Sequence, residues 1–204
     1  MIIRQNDKPL RAISYDTRTF HNLKILLDHD EPDIQIDRVT PTEFFNDPDS
    51  NFQYINLVTL DFAERETISK CLDQHSLSRF SFIDDSFDNP TTSLEHGPGC
   101  LILKGVFSYK AKVGKDCIIH GRVSLAEDVV VGDGCFFSGL VTIAGSSSIG
   151  NFCFISTNVT IMDNTKITDH VRLLPGMVVR KPINDPGTYY NPYVFEVKKM
   201  KDTI

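Results

Sequence analysis

The sequence has no long apolar run and no excess of basic residues, and each absence excludes a class of protein. No apolar segment approaches about 18 residues, the length that indicates a transmembrane helix. Residues 1–10 lack the apolar core of a signal peptide, so we expect a cytoplasmic protein without a membrane span. The net charge of −6 argues against a nucleic-acid-binding protein, because such proteins carry a basic surface.

A large apolar residue recurs at every sixth position from Leu101 to Val179. The fifth position of nearly every six is small, as at Ala111 and Val123. A period of six fits neither a helix nor a simple alternating strand, and it indicates an array of short repeats.

The six-residue segments also repeat in threes. Segments 113–118, 131–136 and 149–154 share one pattern, and each begins eighteen residues after the previous one. Three sixes therefore form one coil of a parallel β-helix with a triangular cross-section, and successive coils lie about 4.8 Å apart. We expect four to five such coils, with the large residues inside and a cap at each end to cover the sheet edges.

The five cysteines are odd in number, and three of them, Cys117, Cys135 and Cys153, occupy equivalent positions of successive coils. This column is either a metal or disulfide ladder or a set of small buried thiols. The second interpretation is favoured because free cysteine is commonly buried, and reduced thiols suit the cytosol. We expect no metal site, since only His120 and His170 lie on the repeat and a metal-dependent β-helix enzyme needs three converging histidines.

Residues 1–90 have a different pattern, which indicates a small parallel sheet flanked by helices. Strands are predicted at 10–14, 34–39, 54–60 and 79–83, and helices at 19–28, from 42, and at 62–74. Segment 84–99 is rich in Asp, Ser, Thr, Pro and Gly and is interpreted as a linker. The predicted organisation is an α/β domain at 1–90, an all-β parallel β-helix domain at 91–183 and a tail at 184–204.

The repeat resembles that of the hexapeptide acyltransferases, which form left-handed β-helices. The order of the two domains narrows the resemblance to bacterial sugar O- and N-acyltransferases of the sialic-acid and bacillosamine type. Five segments carry it. Phe82-Ile83-Asp84 is similar to the junction strand, 105–114 to the first coils, 149–181 to the final coils, and both Asn191-Pro192-Tyr193 and Lys198-Lys199-Met200 to the closing tail. The resemblance implies a Rossmann-like first domain, left-handed coils and a homotrimer with active sites between subunits.

The resemblance also implies the substrates. They are acetyl-CoA, or another short acyl-CoA, and an amino sugar linked to a nucleotide, in surface-glycan biosynthesis. The family binds CoA in the groove between neighbouring β-helices, at positions that match Gly145, Thr157, Pro175 and Gly176. The missing side chain at Gly145 suits either a close approach of pantetheine or a tight corner. Lys181, beyond the last coil, is a candidate contact for the CoA phosphates, or it is simply solvated.

The sequence departs from the family at the first turn. The family has a glycine-rich turn there, which brings backbone amides close to the nucleotide phosphates. The corresponding segment, 14–19, contains no glycine. Tyr15, Asp16, Thr17 and Arg18 are the candidate substrate-binding residues, with Arg18 and the hydroxyls of Thr17 and Thr19 directed to phosphate. The alternative is that Asp16 or Thr19 is a helix N-cap.

The usual histidine base is also missing. Its position falls on Glu127, beside Asp128, and the position of a second family histidine falls on Phe136. The nearest histidine is His120, about one face earlier and expected on the outer surface. His120 is our candidate base, with Glu127 or Asp128 as an orienting or alternative group. The alternative is a surface imidazole and a solvated corner carboxylate.

The acceptor is expected to be an amine. A neutral amine is already nucleophilic, whereas a hydroxyl depends more on a base, so N-acylation tolerates the loss of the family histidine better. Two alternatives stay open. One is O-acetylation of a sugar, and the other is a non-catalytic trimeric scaffold that has kept the prism and lost the chemistry.

Overall fold

In a computed structural model, the chain forms a small α/β unit followed by a parallel β-helix. The structure describes residues 2–3, 8–30, 33–84 and 94–191. The predicted linker residues 85–93 lie outside the described residues, as do the predicted tail residues Pro192, Tyr193, Lys198, Lys199 and Met200.

The first unit is a four-stranded parallel sheet with helices on both sides. This part of the chain begins with β1 (Ile2–Ile3) and ends with β6 (Ser81–Ile83), which both belong to the β-helix. The elements of the α/β unit itself are β2 (Leu10–Ile13), α1 (Thr17–Asp30), β3 (Ile36–Val39), α2 (Pro41–Asn46), β4 (Gln53–Asn56), α3 (Phe62–Gln74) and β5 (Ser78–Arg79). The sheet order is β3-β2-β4-β5, and every pairing is parallel. The predicted strand 79–83 is therefore two strands in two sheets, because β5 pairs with β4 whereas β6 joins the β-helix.

The second unit is a left-handed parallel β-helix of about six turns, more than the predicted four to five. Its strands are β7 (Glu95–His96), β8 (Leu101–Ile102), β9 (Val106–Phe107), β10 (Lys112–Val113), β11 (Ile118–Ile119), β12 (Ser124–Leu125), β13 (Val130–Val131), β14 (Phe136–Phe137), β15 (Thr142–Ile143), β16 (Ser148–Ile149), β17 (Phe154–Ile155), β18 (Thr160–Ile161), β19 (Lys166–Ile167), β20 (Val171–Leu173), β21 (Val178–Val179) and β22 (Gly187–Tyr189). The count was too low because β7, in the predicted linker, and β22, in the predicted tail, add rungs.

The strands form the three faces of a prism. The first face contains β6, β8, β11, β14, β17, β20 and β22, with β1 antiparallel at its edge. The second face contains β9, β12, β15, β18 and β21, and the third contains β7, β10, β13, β16 and β19. Non-glycine residues with positive φ recur at the corners between faces, including Asp116, Arg122 and Asp128 at 55°, 65° and 57°.

The predicted phase of the repeat is wrong at its first position. Leu101 points outward to the α/β unit, and Ile102 fills the prism interior instead. The first coil is one residue shorter than the later ones between the first and second faces. Ile102 pairs with Ile119, seventeen residues later, whereas Phe107 pairs with Leu125, eighteen residues later. From Phe107 onward the period of six holds.

The cysteine column is confirmed. Cys117, Cys135 and Cys153 are stacked on successive coils. The amide of Ile118, next to Cys117, donates to the carbonyl of Cys135 at 2.9 Å, and the amide of Phe136, next to Cys135, donates to the carbonyl of Cys153 at 2.9 Å. The three thiols are buried and free. Each donates to a backbone carbonyl of the adjacent corner, as Cys135 does to Gly150 at 3.0 Å. The thiols therefore pack the interior where space is short.

The α/β unit covers the first face of the prism. Leu23 and Leu27 of α1 pack in one cluster with Leu101, Ile118 and Phe136, which point outward from three successive coils. Apolar residues on the outside of this face are thereby removed from water, which stabilises the junction of the two units.

A buried arginine joins α3 to a corner of the prism. The Arg65 side chain is fully buried and donates to four backbone carbonyls: Gly134 (2.9 Å), Asn56 (3.1 Å), Val58 (2.7 Å) and Asp116. Two of these acceptors belong to the end of β4 and the loop after it, and two belong to the prism. The residue therefore holds the loop between β4 and α3 against the third-to-first corner.

Candidate functional site

Asp16 caps α1 in segment 14–19, the segment predicted from the sequence to bind substrate. Its carboxylate accepts from the amides of Arg18 (2.8 Å) and Thr19 (3.4 Å) and from the Thr19 hydroxyl (3.0 Å). The hydrogen bond from the Arg18 amide lowers the pKa of Asp16, so the group is ionised at neutral pH. A carboxylate therefore occupies the amides that a phosphate needs at a helix N-terminus.

The other predicted residues of this segment are exposed. The Tyr15 hydroxyl donates to Glu64 of α3 at 2.9 Å, and this hydrogen bond is the main cause that raises the pKa of Tyr15. Thr17 and Arg18 lie in the first turn of α1, with exposed side chains. The structure brings Tyr15 to α3 but leaves Arg18 in solvent.

His120 follows β11 at the corner between the first and second faces. Its ring lies against Phe136, with ring centroids 5.2 Å apart and planes tilted by 56°. The side chain is half-buried, and burial lowers its pKa from 6.5. No described residue forms a hydrogen bond to the ring, so the neutral imidazole is free to accept a proton.

Three of the predicted CoA-binding residues share this corner with His120. The Thr157 and Ser138 hydroxyls are 2.8 Å apart, and the amide of Gly176 donates to the carbonyl of Thr157 at 3.0 Å. Pro175 immediately precedes Gly176 and is exposed. His120, Thr157, Pro175 and Gly176 thus lie along one edge of the prism, with Thr157 two coils from His120.

Glu127, Asp128 and Gly145 lie on the neighbouring edge, between the second and third faces. Both carboxylate side chains are exposed. The side chain of Glu127 lies over Gly145, because a Cβ placed at Gly145 would come within 2.8 Å of Glu127 Oε1. The missing side chain at Gly145 therefore leaves room for Glu127 at this corner, and the contact of Gly145 with pantetheine stays a prediction. A whole face separates these residues from His120 within one chain.

Lys181 follows β21 and is exposed, which suits either a contact with the CoA phosphates or a solvated side chain. Among the described residues, no group of three or more His, Cys, Asp and Glu side chains is arranged to hold a metal ion. None of the helices in the described segments is long and apolar enough to cross a membrane.

The sequence did not indicate a cleft that lies between the α/β unit and the last coils. Its volume is about 470 Å³. It is lined by Leu60, Asp61, Phe62, Phe152, Phe154, His170, Val171, Arg172, Gly187 and Thr188. These residues come from the loop before α3 and from β17, β20, β22 and their corners, so only the tertiary structure brings them together.

Arg172 is the central polar group of this cleft. Its Nη2 donates to the carbonyl of Leu60 at 3.0 Å. The guanidinium carbon lies 5.1 Å from the ring centroid of Phe154 and 5.4 Å from that of Phe62. No described carboxylate lies within ion-pair distance of Arg172, so its charge is held by aromatic faces and one carbonyl.

Solved structures with the same fold span both units. The acetyltransferase domain of PglB from Neisseria gonorrhoeae has a TM-score of 0.77 at 15% identity, with 92% of this chain and 98% of that chain covered. The same domain in complex with acetyl coenzyme A has a TM-score of 0.74 at 15% identity, with 91% of this chain and 97% of that chain covered. A variant of perosamine N-acetyltransferase from Caulobacter crescentus, in complex with CoA and GDP-perosamine, has a TM-score of 0.72 at 14% identity. The match covers 93% of this chain and 96% of that chain.

No protein-family model matches the sequence, and the comparison with curated proteins gives no significant match. The resemblance inferred from the hexapeptide repeat is confirmed for the fold, including the left-handed coils and the α/β unit that precedes them.

Proposed function

We propose that the protein is an acyltransferase that moves an acetyl group from acetyl-CoA to the amino group of a nucleotide-linked sugar, in the cytoplasm, for surface-glycan biosynthesis. The observation that carries the proposal is the two-unit fold. Over more than nine tenths of its length, the chain is similar to an acetyltransferase domain whose structure contains acetyl-CoA and to a perosamine N-acetyltransferase whose structure contains CoA and GDP-perosamine. A fold alone does not determine chemistry, so the residues must support the reaction.

The edge that carries His120 supports it. In the proposed step, the amine lone pair attacks the thioester carbonyl, the C–S bond breaks, and CoA leaves as the thiolate. The proton lost by the amine goes to the neutral ring of His120 and then to the CoA sulfur. Thr157, Pro175 and Gly176, on the same edge, would line the path of pantetheine, and Lys181 would contact phosphate.

Glu127 and Asp128 belong to the opposite side of the second face. In a homotrimer, the edge of one subunit lies beside another subunit, and we propose that these carboxylates act there, as orienting groups. Gly145, on the same edge, would let pantetheine lie close in the groove between subunits.

A non-catalytic scaffold remains the second candidate, and Phe136 favours it. The ring occupies a family histidine position, is only 8% exposed, and stacks on Phe154 at 5.1 Å with planes 5° apart. This position serves packing and provides no acid or base.

Two measurements separate the candidates. Calorimetry with acetyl-CoA should show binding, and mass spectrometry should show one added acetyl group on an amino-sugar nucleotide from a panel of UDP- and GDP-linked 4-amino sugars. Binding without transfer to any acceptor would favour the scaffold. Absence of acetyl-CoA binding would contradict both the enzyme and its proposed cofactor.

A further inference from the structure

The loss of the glycine-rich turn leaves the nucleotide part of the proposed acceptor without its usual position. Asp16 fills the amides at the start of α1 and places a negative charge there. A phosphate at this position would meet a carboxylate that is ionised at neutral pH, since hydrogen bonding lowers its pKa. An anionic ligand therefore requires a cationic site elsewhere.

We propose that the cleft around Arg172 binds the diphosphate group of the nucleotide-linked acceptor, with Arg172 as the anchor. The proposal rests on the proposed function for the kind of ligand. The cleft itself is an independent observation, at the junction of the two units and with a volume in the ordinary range for small-molecule sites, about 300–1,000 Å³.

Arg172 has the chemistry for this role. A guanidinium presents several donors in one plane and binds phosphate in a bidentate manner. One Nη2 bond to Leu60 and the rings of Phe62 and Phe154 fix the side chain before any ligand arrives. The remaining N–H groups have no described protein acceptor.

The walls of the cleft suit a ring next to the phosphate. Phe152 and His170 stack with centroids 5.9 Å apart and planes 11° apart, and Leu60 at the mouth is 72% exposed. Aromatic and apolar surfaces of this kind pack against the base or sugar ring of a nucleotide. His170, which is exposed at its corner, adds a second nitrogen ligand for the anion.

Two carboxylates lie near the cleft, and neither forms an ion pair with Arg172 in the described part of the chain. Asp61 lines the cleft, but its Oδ1 accepts from the amide of Glu64 at 2.9 Å, as the N-cap of α3. Glu66, which lies 3.8 Å from His170, also pairs with Lys70 at 2.7 Å. Arg172 is therefore the cation of the cleft that no described carboxylate pairs with. Asp61 adds a negative charge to the wall, but unlike Asp16 it does not occupy the donors that the anion would use, which are the N–H groups of Arg172.

CoA also carries a diphosphate, so two ligands share this chemistry. The acceptor is favoured because the cleft lies where the α/β unit meets the first face. Thr157, Pro175 and Gly176, the proposed CoA contacts, lie instead at the next corner of the prism.

The test is calorimetric titration of the full chain with UDP, GDP and CoA in turn. We expect UDP or GDP to bind, and Arg172→Gln to weaken that binding by about tenfold or more, because a charge-assisted bidentate contact is lost. Arg172→Lys should recover only part of it. His170→Asn, which suits the positive φ of 57° at that corner, should weaken it less. Lys166→Gln, which removes an exposed cation on the third face, is the matched control.

Three outcomes would overturn the inference: no binding of UDP or GDP to the wild-type protein, a loss in Arg18→Gln with none in Arg172→Gln, or an effect of Arg172→Gln on CoA alone. A melting temperature within a few degrees of the wild type excludes misfolding of the variants. If acetyl transfer is observed and the cleft fails these tests, the proposed function stands and only the position of the nucleotide is wrong.

Discussion

His120 is held at the edge of the prism against an aromatic ring and without a polar partner, and this environment keeps it neutral. Protonation of the ring would place a charge in a half-buried site, and for this reason its pKa is lowered from 6.5. The residue is therefore suited to accept a proton at neutral pH.

We expect kcat/KM for acetyl transfer to rise with pH and to reach its plateau through a titration below pH 6.5. The same shift affects stability. Between the lowered pKa of His120 in the folded protein and 6.5, the unfolded chain binds more protons than the folded one. The contribution of His120 to the free energy of unfolding is therefore largest above pH 6.5 and decreases as the pH falls through this window.

His120→Gln should lower kcat by about 100-fold or more and abolish the low-pH titration. Unchanged N-acetylation by His120→Gln would refute the assignment of the base and leave the function intact.

Arg65 is fully buried and, unlike His120, has polar partners for its side chain. Its guanidinium donates to four backbone carbonyls inside the protein. Arg65→Met should lower the free energy of unfolding by at least about 3 kcal/mol, since each buried carbonyl left without a donor costs about 1–3 kcal/mol. Urea denaturation measures this. Lys70→Ala, which removes an exposed ion pair from the same helix, should cost less than about 1 kcal/mol. Equal effects of the two substitutions would contradict the role of Arg65 in the junction.

At the scale of elements, the third-to-first corner is built on the thiol column. Cys100 extends this column by one coil, and its thiol donates to the carbonyl of Gly114 at 3.2 Å. Cys71 on α3 is a free cysteine outside the column and is half-buried.

The native protein should react with a thiol reagent at about one cysteine, and the denatured protein at all five. A buried thiol reacts only when the coil opens. Cys71→Ser should remove the fast reaction of the native protein. Rapid labelling of several thiols in that variant would show that the column is accessible, and would contradict the buried coil interior.

The strands also show where sequence patterns have their limit. The helix at 62–74 was predicted with its observed bounds, because its pattern of apolar and polar residues is a local signal. The strand at 79–83 was predicted as one, but Phe80 separates two strands of different sheets. No local pattern reports to which sheet a short strand belongs.

At the scale of the molecule, the two open faces of the prism differ in charge. The outward positions of the second face are Val106, Ser124, Thr142, Thr160 and Val178, none of them charged. Those of the third face are Glu95, Lys112, Val130, Ser148 and Lys166. Two exposed valines, Val106 and Val178, lie on the second face (40% and 52% exposed), and one, Val130, lies on the third (47%). This favours the second face as the contact in the proposed homotrimer.

Sedimentation equilibrium should therefore give three chains of 23.0 kDa. Thr142→Lys, which places a charge at the centre of the second face, should dissociate the trimer and reduce the rate of acetyl transfer. Ser148→Lys, at the equivalent position of the third face, is the control and should leave the mass unchanged. A wild-type protein that sediments as a monomer would contradict the expected sites between subunits.

The sequence by itself determined the coils, the interior columns and the outward position of His120, because each follows from a repeat whose neighbours are eighteen residues apart. Only the tertiary structure decided that Leu101 points outward, that Glu127 covers Gly145, and that Arg172 meets a loop 112 residues earlier in the chain. The physical reason is that these contacts join residues without a common period. Their energies depend on how the α/β unit docks on the prism, and no local pattern encodes that docking.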